Sequence, residues 1–431
     1  MLPRPGPPSK ITFGQFEERV EPASVGRSPR GWLPDRQTST LAKVAPLTPK
    51  SIIEGRLRNR PSTGLIVGLV ITGLCLLIVL IGYLVLGSPG PTILASILAL
   101  PTGVAVVALL LFLDRLEPEP PLRLVFAFLW GAGVSCLFAL IINTTGLLIL
   151  SSTVGQQEGT VIGASVIGPI VEETLKGAVL VLLLWRRRDD IDGPTDGIIY
   201  AGMVGIGFAI VEDINYYSEN FDSASSLITV VIMRGVLSPL CHPLFTSLTG
   251  LGVAYAANHR GGRGVLAVVG GWIAAMTLHA IWNFSGQFGL IGLAVAYGIC
   301  LAVIIMLIII LVRDRKRTVG LIQHYLPMYH NFGIVTPADV AMLSSLRGRA
   351  QARRWVRARL GKQARQAMID YQLAATELAL LHAHAASRTV SPQRFAYRQH
   401  WLVQLMSMAH AAFAPALMPG PGHVPAPWHG R

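Results

Sequence analysis

VIGASVIGPIVEETLKGAVLVLLLW, residues 161–185, is long and apolar enough to cross a bilayer as one helix, yet Glu172, Glu173 and Lys176 lie near its middle. About 20 apolar residues suffice for a crossing, and each ionisable group at the bilayer centre costs roughly 2.5–3.5 kcal/mol on insertion scales. Three such groups in one span need partners inside a helical bundle. A purely structural reading pairs Lys176 with a carboxylate one turn away as a packing device. One lysine cannot neutralise two carboxylates, so the stretch reads as the centre of a functional site.

The rest of the chain supplies the bundle. Of its 431 residues, 52% are hydrophobic and 14% charged, a balance that fits a polytopic membrane protein better than a soluble one. Outward from the central stretch, hydropathy predicts spans at 63–86, 92–113, 124–150, 197–215, 227–257, 264–284 and 289–312. The fold class is therefore all-α, a polytopic transmembrane bundle of about eight helices. Segment 227–257 is too long for a simple span and holds Arg234, Pro239 and Pro243. Its first part reads as a re-entrant or interfacial piece, with the true span starting near Ser238.

The net charge of +13 lies in the tails and in alternate loops. Segments 87–91, 151–160, 216–226 and 285–288 contain no Lys or Arg, whereas the other loops hold Arg115 with Arg123, Arg186 to Arg188, Arg260 with Arg263, and Arg313 to Arg317. By the positive-inside rule this implies an even number of spans with both termini cytoplasmic in a plasma membrane of bacterial type. The charge speaks for topology and contact with anionic lipids at the basic tails, and against a nucleic-acid partner. Cys75, Cys136, Cys241 and Cys300 all fall in apolar stretches without a CxxC pair and read as core residues.

Residues 1–61 are rich in Pro, Arg and Ser, with no apolar run of the kind a signal peptide carries, and are expected to be a disordered basic cytoplasmic tail. Residues 62–313 form the membrane domain and 314–413 a basic cytoplasmic helical region, with helices predicted over 337–385 and 392–413. Thr336-Pro337-Ala338-Asp339 supplies a capping hydroxyl, a first-turn proline and an acid for the helix dipole. Arg347, Arg349, Arg353, Arg354, Arg357 and Arg359 interleave with Leu346, Val356 and Leu360, a pattern open to a solvated tail or to a lipid- or partner-binding surface. The Pro/Gly-rich end, 414–431, is expected to be disordered.

Other spans carry misplaced polar groups: Phe208 to Glu212 and Asp213, His242 in LCHPLFT, and His279 with Asn283 in LHAIWN. At about 1.5 Å of rise per residue, Glu212, His242 and His279 come out roughly 20–24 Å from the cytoplasmic end of their spans, and Glu172 about 18–20 Å. Four helices thus bring them to one layer, in the outer half of a hydrocarbon core about 30 Å thick. A lone intramembrane histidine is ordinarily an interhelical hydrogen-bonder; coincident depth with carboxylates argues for more. His279 and Asn283, like Phe208 and Glu212, are four residues apart and share a helix face, while Lys176 reads as a structural counter-charge.

Carboxylates and imidazoles in one layer suit peptide hydrolysis, which needs an activated water, an acid for the leaving amine and a donor for the oxyanion. Glu172 or Glu173 can act as base and then acid, with the histidines and Asn283 positioning water and charge. Alternatively His242, His279 and Glu212 offer the His2Glu set of a catalytic zinc site, leaving a second glutamate as base. No HExxH spacing compels the metal.

Glu172-Glu173-x-x-Lys176, Phe208-x-x-x-Glu212, His242 in HPLFT and His279-x-x-x-Asn283, in this order on successive spans, resemble the PrsW family of intramembrane proteases, relatives of the CaaX-protease and bacteriocin-processing superfamily. Asp114-Arg115-Leu116-Glu117-Pro118-Glu119-Pro120 is similar to that family's cytoplasmic loop motif. The resemblance spans about 63–313. It implies a metalloprotease cutting a membrane-anchored, anti-sigma-factor-like protein on the extracytoplasmic side in a signalling cascade, with Glu172 and Glu173 as the catalytic acid pair and His279 and Asn283 as the HxxxN element. Glu212 stands where the CaaX relatives have histidine, so their mechanism does not transfer unchanged, and His242 can fill that role. Against this stand a proton-coupled transporter, which also uses buried carboxylates and histidines, and an inactive membrane scaffold. No duplicated half with paired broken helices supports the transporter.

Overall fold

The computed structural model describes residues 62–116, 118–186, 191, 193–259, 261–387 and 389–413. The expectations for 1–61 and 414–431, and for Glu117, Arg187, Arg188 and Arg260, lie outside these. All regular structure among the described residues is helical, in keeping with an all-α membrane bundle.

Two apolar helices come first among the described residues, α1 (Thr63–Leu86) and α2 (Pro89–Leu113). The next crossing joins α3 (Pro121–Leu129) to α4 (Cys136–Val154) through a widened, π-helical turn at Trp130–Ser135. The charged stretch follows as α5 (Gln156–Ile162), a second π-helical turn at Gly163–Ile167, and α6 (Gly168–Arg186). Helix α6 puts Glu172, Glu173, Lys176, Val179 and Leu180 inside and exposes Ile170, Val181 and Trp185. Its polar face is therefore its buried face, as a lipid solvent demands.

Helix α7 (Pro194–Glu219) is the axis of the bundle, buried at every residue from Asp196 to Ala209. Small residues allow this. A Cβ on Gly197 would lie 2.3 Å from the Gly250 carbonyl oxygen, and one on Gly205 would lie 2.6 Å from the Pro243 nitrogen, so the helix that carries Pro243 and Gly250 presses directly on α7. Among the described residues, six stretches are long and apolar enough to cross a membrane. One of them, Gly262–Phe332, contains two helices, α10 (Gly262–Ser285) and α11 (Gly289–Tyr325), that turn at Gly286–Phe288. The stretch through α5 and α6 is not among the six. Adding it and counting α10 and α11 separately recovers the expected number of about eight.

The segment predicted to break does so. Helix α8 (Ala224–Val231) has no buried residue, a third π-helical turn covers Ile232–Leu237, and α9 (Cys241–Asn258) starts after Ser238. Two boundaries differ from expectation. Helix α11 runs on through Arg313–Arg317 to Tyr325, because basic side chains reach water without interrupting backbone hydrogen bonds. The region expected as one helix over 337–385 is divided into α12 (Pro337–Leu343) and α13 (Leu346–Ala386), and α13 is kinked at Gly361, whose φ of 84° is left-handed.

Helices α12, α13 and α14 (Pro392–Phe413) enclose a second core with Leu343, Val356, Met368, Tyr371, Leu378, Leu405 and Phe413. This unit joins the membrane bundle at the loop after α2. Buried Arg349 donates to the Leu116 carbonyl at 3.2 Å, Glu119 N–H donates to Asp114 Oδ2 at 2.8 Å, and Tyr200 of α7 donates to Glu119 Oε2 at 2.6 Å.

Candidate active site

Four helices and one π-helical turn converge on the buried carboxylates of α6. Pro243 occupies the first turn of α9, where a missing N–H has no helical acceptor to lose. Together with the bare backbone at Gly205 it sets His242 against α7. Helix α10 brings His279, stacked on Phe245 with centroids 4.8 Å apart, and anchors to α6 where Trp272 Nε1 donates to Thr174 Oγ1 at 3.2 Å.

The polar contacts form one chain. Lys176 Nζ lies 2.9 Å from Glu173 Oε1, 3.4 Å from Glu172 Oε2 and 3.0 Å from His242 Nδ1. It also sits 3.7 Å from the centre of the Phe208 ring, a cation–π contact. His242 Nε2 meets Glu212 Oε2 at 2.8 Å, and His279 Nδ1 meets Glu173 Oε1 at 3.1 Å. An imidazole that donates from one ring nitrogen to a carboxylate keeps the lone pair of the other, so this tautomer assignment turns His242 Nδ1 and His279 Nε2 toward the interior. His279 Nε2 is 3.9 Å from Glu172 Oε2.

The two adjacent glutamates are held differently. Glu173 is fully buried and also accepts from Thr246 Oγ1 at 2.9 Å. Glu172 is gripped more loosely, accepting from Asn143 Nδ2 at 3.3 Å and lying farther from Lys176 than Glu173 does. On an ideal helix the four-residue spacing stacks Lys176 most directly on Glu172, yet the shorter contact is to Glu173.

Of the residues expected at the site, Glu172, Glu173, Lys176, Phe208, Glu212, His242 and His279 are brought together. Asn283 is not among them. It is half-buried, and its Nδ2 donates to the Ala164 carbonyl at 2.9 Å, tying α10 to the π-helical turn that leads into α6. Asp213 faces Arg234, with Nε to Oδ1 at 2.6 Å.

Arg234, Asn143 and Thr246 complete the centre without having been singled out for it. Arg234 comes from the π-helical turn after α8 and pairs with Glu212 as well as Asp213. Its sequence signal was an arginine in an apolar stretch, which was read only as a break in the span. Asn143 offers the weaker signal of one amide in IINTTG. Its Oδ1 is buried without a hydrogen-bond partner among the described residues.

Glu172, His242 and His279 each place one ligand atom within 4.8 Å of the others. Two imidazoles and a carboxylate are the donor set of catalytic zinc. The remaining ring nitrogens rest on Glu212 and Glu173, the outer carboxylates that orient metal-bound histidines. Charge agrees: among the described residues, Lys176 and Arg234 are the Lys and Arg partners of Glu172, Glu173, Glu212 and Asp213, so with all four carboxylates ionised two negative charges are left for a divalent cation to balance. The residues therefore fit a metal. The inner triad differs from the expected His242, His279 and Glu212 in having Glu172 in place of Glu212, because Arg234 and the outer nitrogen of His242 hold the Glu212 carboxylate.

Fold and centre define a class, a multi-pass helical membrane protein with a buried glutamate–histidine–lysine cluster. Residues 119–312 match the family described as PrsW family intramembrane metalloprotease, so the resemblance read from the motifs holds across this membrane region. Among curated proteins, the chain is similar to Protease PrsW of Clostridioides difficile (strain 630), 32% identical over 139 residues, which are 32% of this chain and 55% of that protein. Protease PrsW of Geobacillus kaustophilus (strain HTA426) is 27% identical over 148 residues, covering 34% of this chain and 60% of the relative. Protease PrsW of Oceanobacillus iheyensis is 27% identical over 115 residues, covering 27% and 50%. The chain thus spans 50–60% of the length of these relatives. No solved structure matches.

Proposed function

We propose that this chain is an intramembrane peptidase that hydrolyses a peptide bond of a membrane-anchored protein at the Glu172–His242–His279 centre. The observation that carries the reading is the convergence of these three buried side chains within 4.8 Å, on helices that otherwise present apolar residues to lipid. A buried ion pair that only fixes packing would not need two further imidazoles with inward lone pairs.

The attacking water would lie between Glu172 and Asn143, where Oδ1 of the amide is an acceptor awaiting a donor. Glu172, the more loosely held carboxylate, takes its proton and returns it to the leaving amine. Glu173 keeps Lys176 and His279 in place through Oε1 and so acts as a positioning residue. His242, His279 and Glu172 Oε2 would hold a zinc ion, which leaves Glu172 Oε1, the oxygen beside Asn143, as the base. Bound there, zinc would supply Lewis-acid polarisation of the peptide carbonyl and a more acidic water. His242 and His279 remain neutral ligands in that arrangement because Glu212 and Glu173 accept their outer protons.

The substrate class is inferred from the depth that helical rise gives the centre, in the outer half of the bilayer, and from what the motif resemblance implies. It is a single-pass protein of the anti-sigma-factor kind, cut near its extracytoplasmic end as the first step of a signalling cascade. The basic loops support a cytoplasmic location for both termini in a bacterial-type cell, with the membrane region over 62–313 and a separate basic helical region over 314–413. A reporter active only outside the membrane should be silent after Arg317; activity there overturns the topology. The peptidase itself is tested by cleavage of candidate single-pass substrates by wild type and by Glu172→Gln in the same membranes. Cleavage in wild type alone is expected, and equal cleavage by the variant would remove Glu172 from the chemistry.

A further inference from the structure

The most unusual feature of the centre is where the Lys176 ammonium stands. Fully buried, it touches Glu172 Oε2 at 3.4 Å and His242 Nδ1 at 3.0 Å, two of the three inner donors. Its third acceptor, Glu173 Oε1 at 2.9 Å, is the oxygen that also orients His279. The Phe208 ring backs it at 3.7 Å. An ammonium donates hydrogen bonds to the same lone pairs that a metal ion accepts, so a donor cannot serve both at once. Two cations at hydrogen-bond separation also repel strongly away from water.

We propose that Lys176 is a built-in occupant of the cation position, and that zinc enters only when its ammonium gives up His242 Nδ1 and Glu172 while keeping Glu173. The inference rests on the metal-held form of the proposed peptidase. In the zinc-free state the ammonium keeps two carboxylates and the imidazole of His242 assembled in an apolar surround, where unpaired charges would otherwise drive the helices apart. In the zinc-bound state it is the counter-charge of Glu173 alone. The lysine then sets the zinc affinity of the site below what the same donors would reach without it.

The test is equilibrium dialysis of the full-length, detergent-purified chain against zinc alone, with bound metal counted by mass spectrometry. Lys176→Met removes the charge at nearly the same volume, and Lys176→Gln, which can still donate hydrogen bonds to the glutamates, guards against misfolding of the first. Both should bind zinc at least tenfold more tightly than wild type, and zinc should raise their unfolding temperatures more than that of wild type. Lys176→Arg, which keeps the charge, should show no such gain. Affinity equal to or weaker than wild type in both neutral variants overturns the proposal. If wild type binds zinc and His279→Ala loses it in that case, the metal site stands and only the role of Lys176 falls. If no form binds zinc while wild type cleaves substrate, the proposal and the metal-held form fall together and the peptidase reading survives.

Discussion

The membrane bundle and the C-terminal helical unit are built from the same element and solve opposite problems. In the bundle, Leu86, Leu148, Leu290 and Ile291 lie exposed while Glu173, Lys176 and His279 are buried. In the C-terminal unit, Val356, Met368, Leu402 and Leu405 are buried, and Arg347, Arg354, Arg357 and Lys362 lie at the surface. Water drives the second arrangement by the cost of exposed apolar area. Lipid gives no such drive, and a polar group left in it is penalised instead. In the bundle, then, a buried charge is the informative residue, whereas in the C-terminal unit a buried hydrocarbon is merely expected.

Both regions contain a buried ion pair, Lys176 with Glu173 in the bundle and Arg398 with Glu377 between α13 and α14. Glu173→Ala should give the largest loss of all, about 3–5 kcal/mol by the usual cost of orphaning a buried charge. Glu377→Ala should fall short of it if water can reach Arg398 after the change. Unfolding in detergent measures both; equal losses would break the contrast between the two surroundings.

Truncating apolar side chains should show the reverse bias. Leu405→Ala in the fully buried C-terminal core is expected to cost about 2–5 kcal/mol. Leu290→Ala, 85% exposed on the bundle, should change stability by about 0.5 kcal/mol or less. A large effect at Leu290 would mean that this face is covered by protein rather than lipid.

A further expected effect is one of pH, in the C-terminal unit. Burial raises Asp370 from 3.8 to about 7, so the folded state holds a proton that the unfolded state has lost. Its contribution is fully present below about 4 and is lost as pH rises through about 7. Burial lowers His382 from 6.5 to about 4, and that contribution is lost in the opposite direction, as pH falls from 6.5 toward 4. Asp370→Asn should therefore gain stability relative to wild type at pH 8 and less at pH 5. A gain independent of pH would show that the carboxyl does not titrate in this window.

Much of the centre was legible because charge in an apolar span is expensive and therefore rare. Glu172, Glu173, Glu212, His242 and His279 stood out for that reason, and their coincident depth follows from helical rise alone. What a helix model could not supply was rotation and local distortion. Asn283 shares a face with His279 on an ideal helix, yet its amide reaches the carbonyl of Ala164 in a π-helical turn that no periodicity announces. Arg234 looked like an interruption because its partners lie across a turn of the same kind. In the C-terminal unit, Arg349 looked like one more surface arginine. It is buried, because its guanidinium finds Leu343 O, Leu116 O and, across the α13 kink at Gly361, Thr376 Oγ1.

The central claim is that buried glutamate chemistry in the bundle breaks a peptide bond. Its most direct test compares wild type with the Glu172→Gln, Glu173→Gln double variant in the same membranes, reading cleavage of a single-pass substrate beside thermal stability and proton flux on matched preparations. Cleavage by wild type, none by a folded double variant and no substrate-coupled proton flux in either is the predicted result. A folded double variant that still cleaves, or a wild type that moves protons and cleaves nothing, would contradict it.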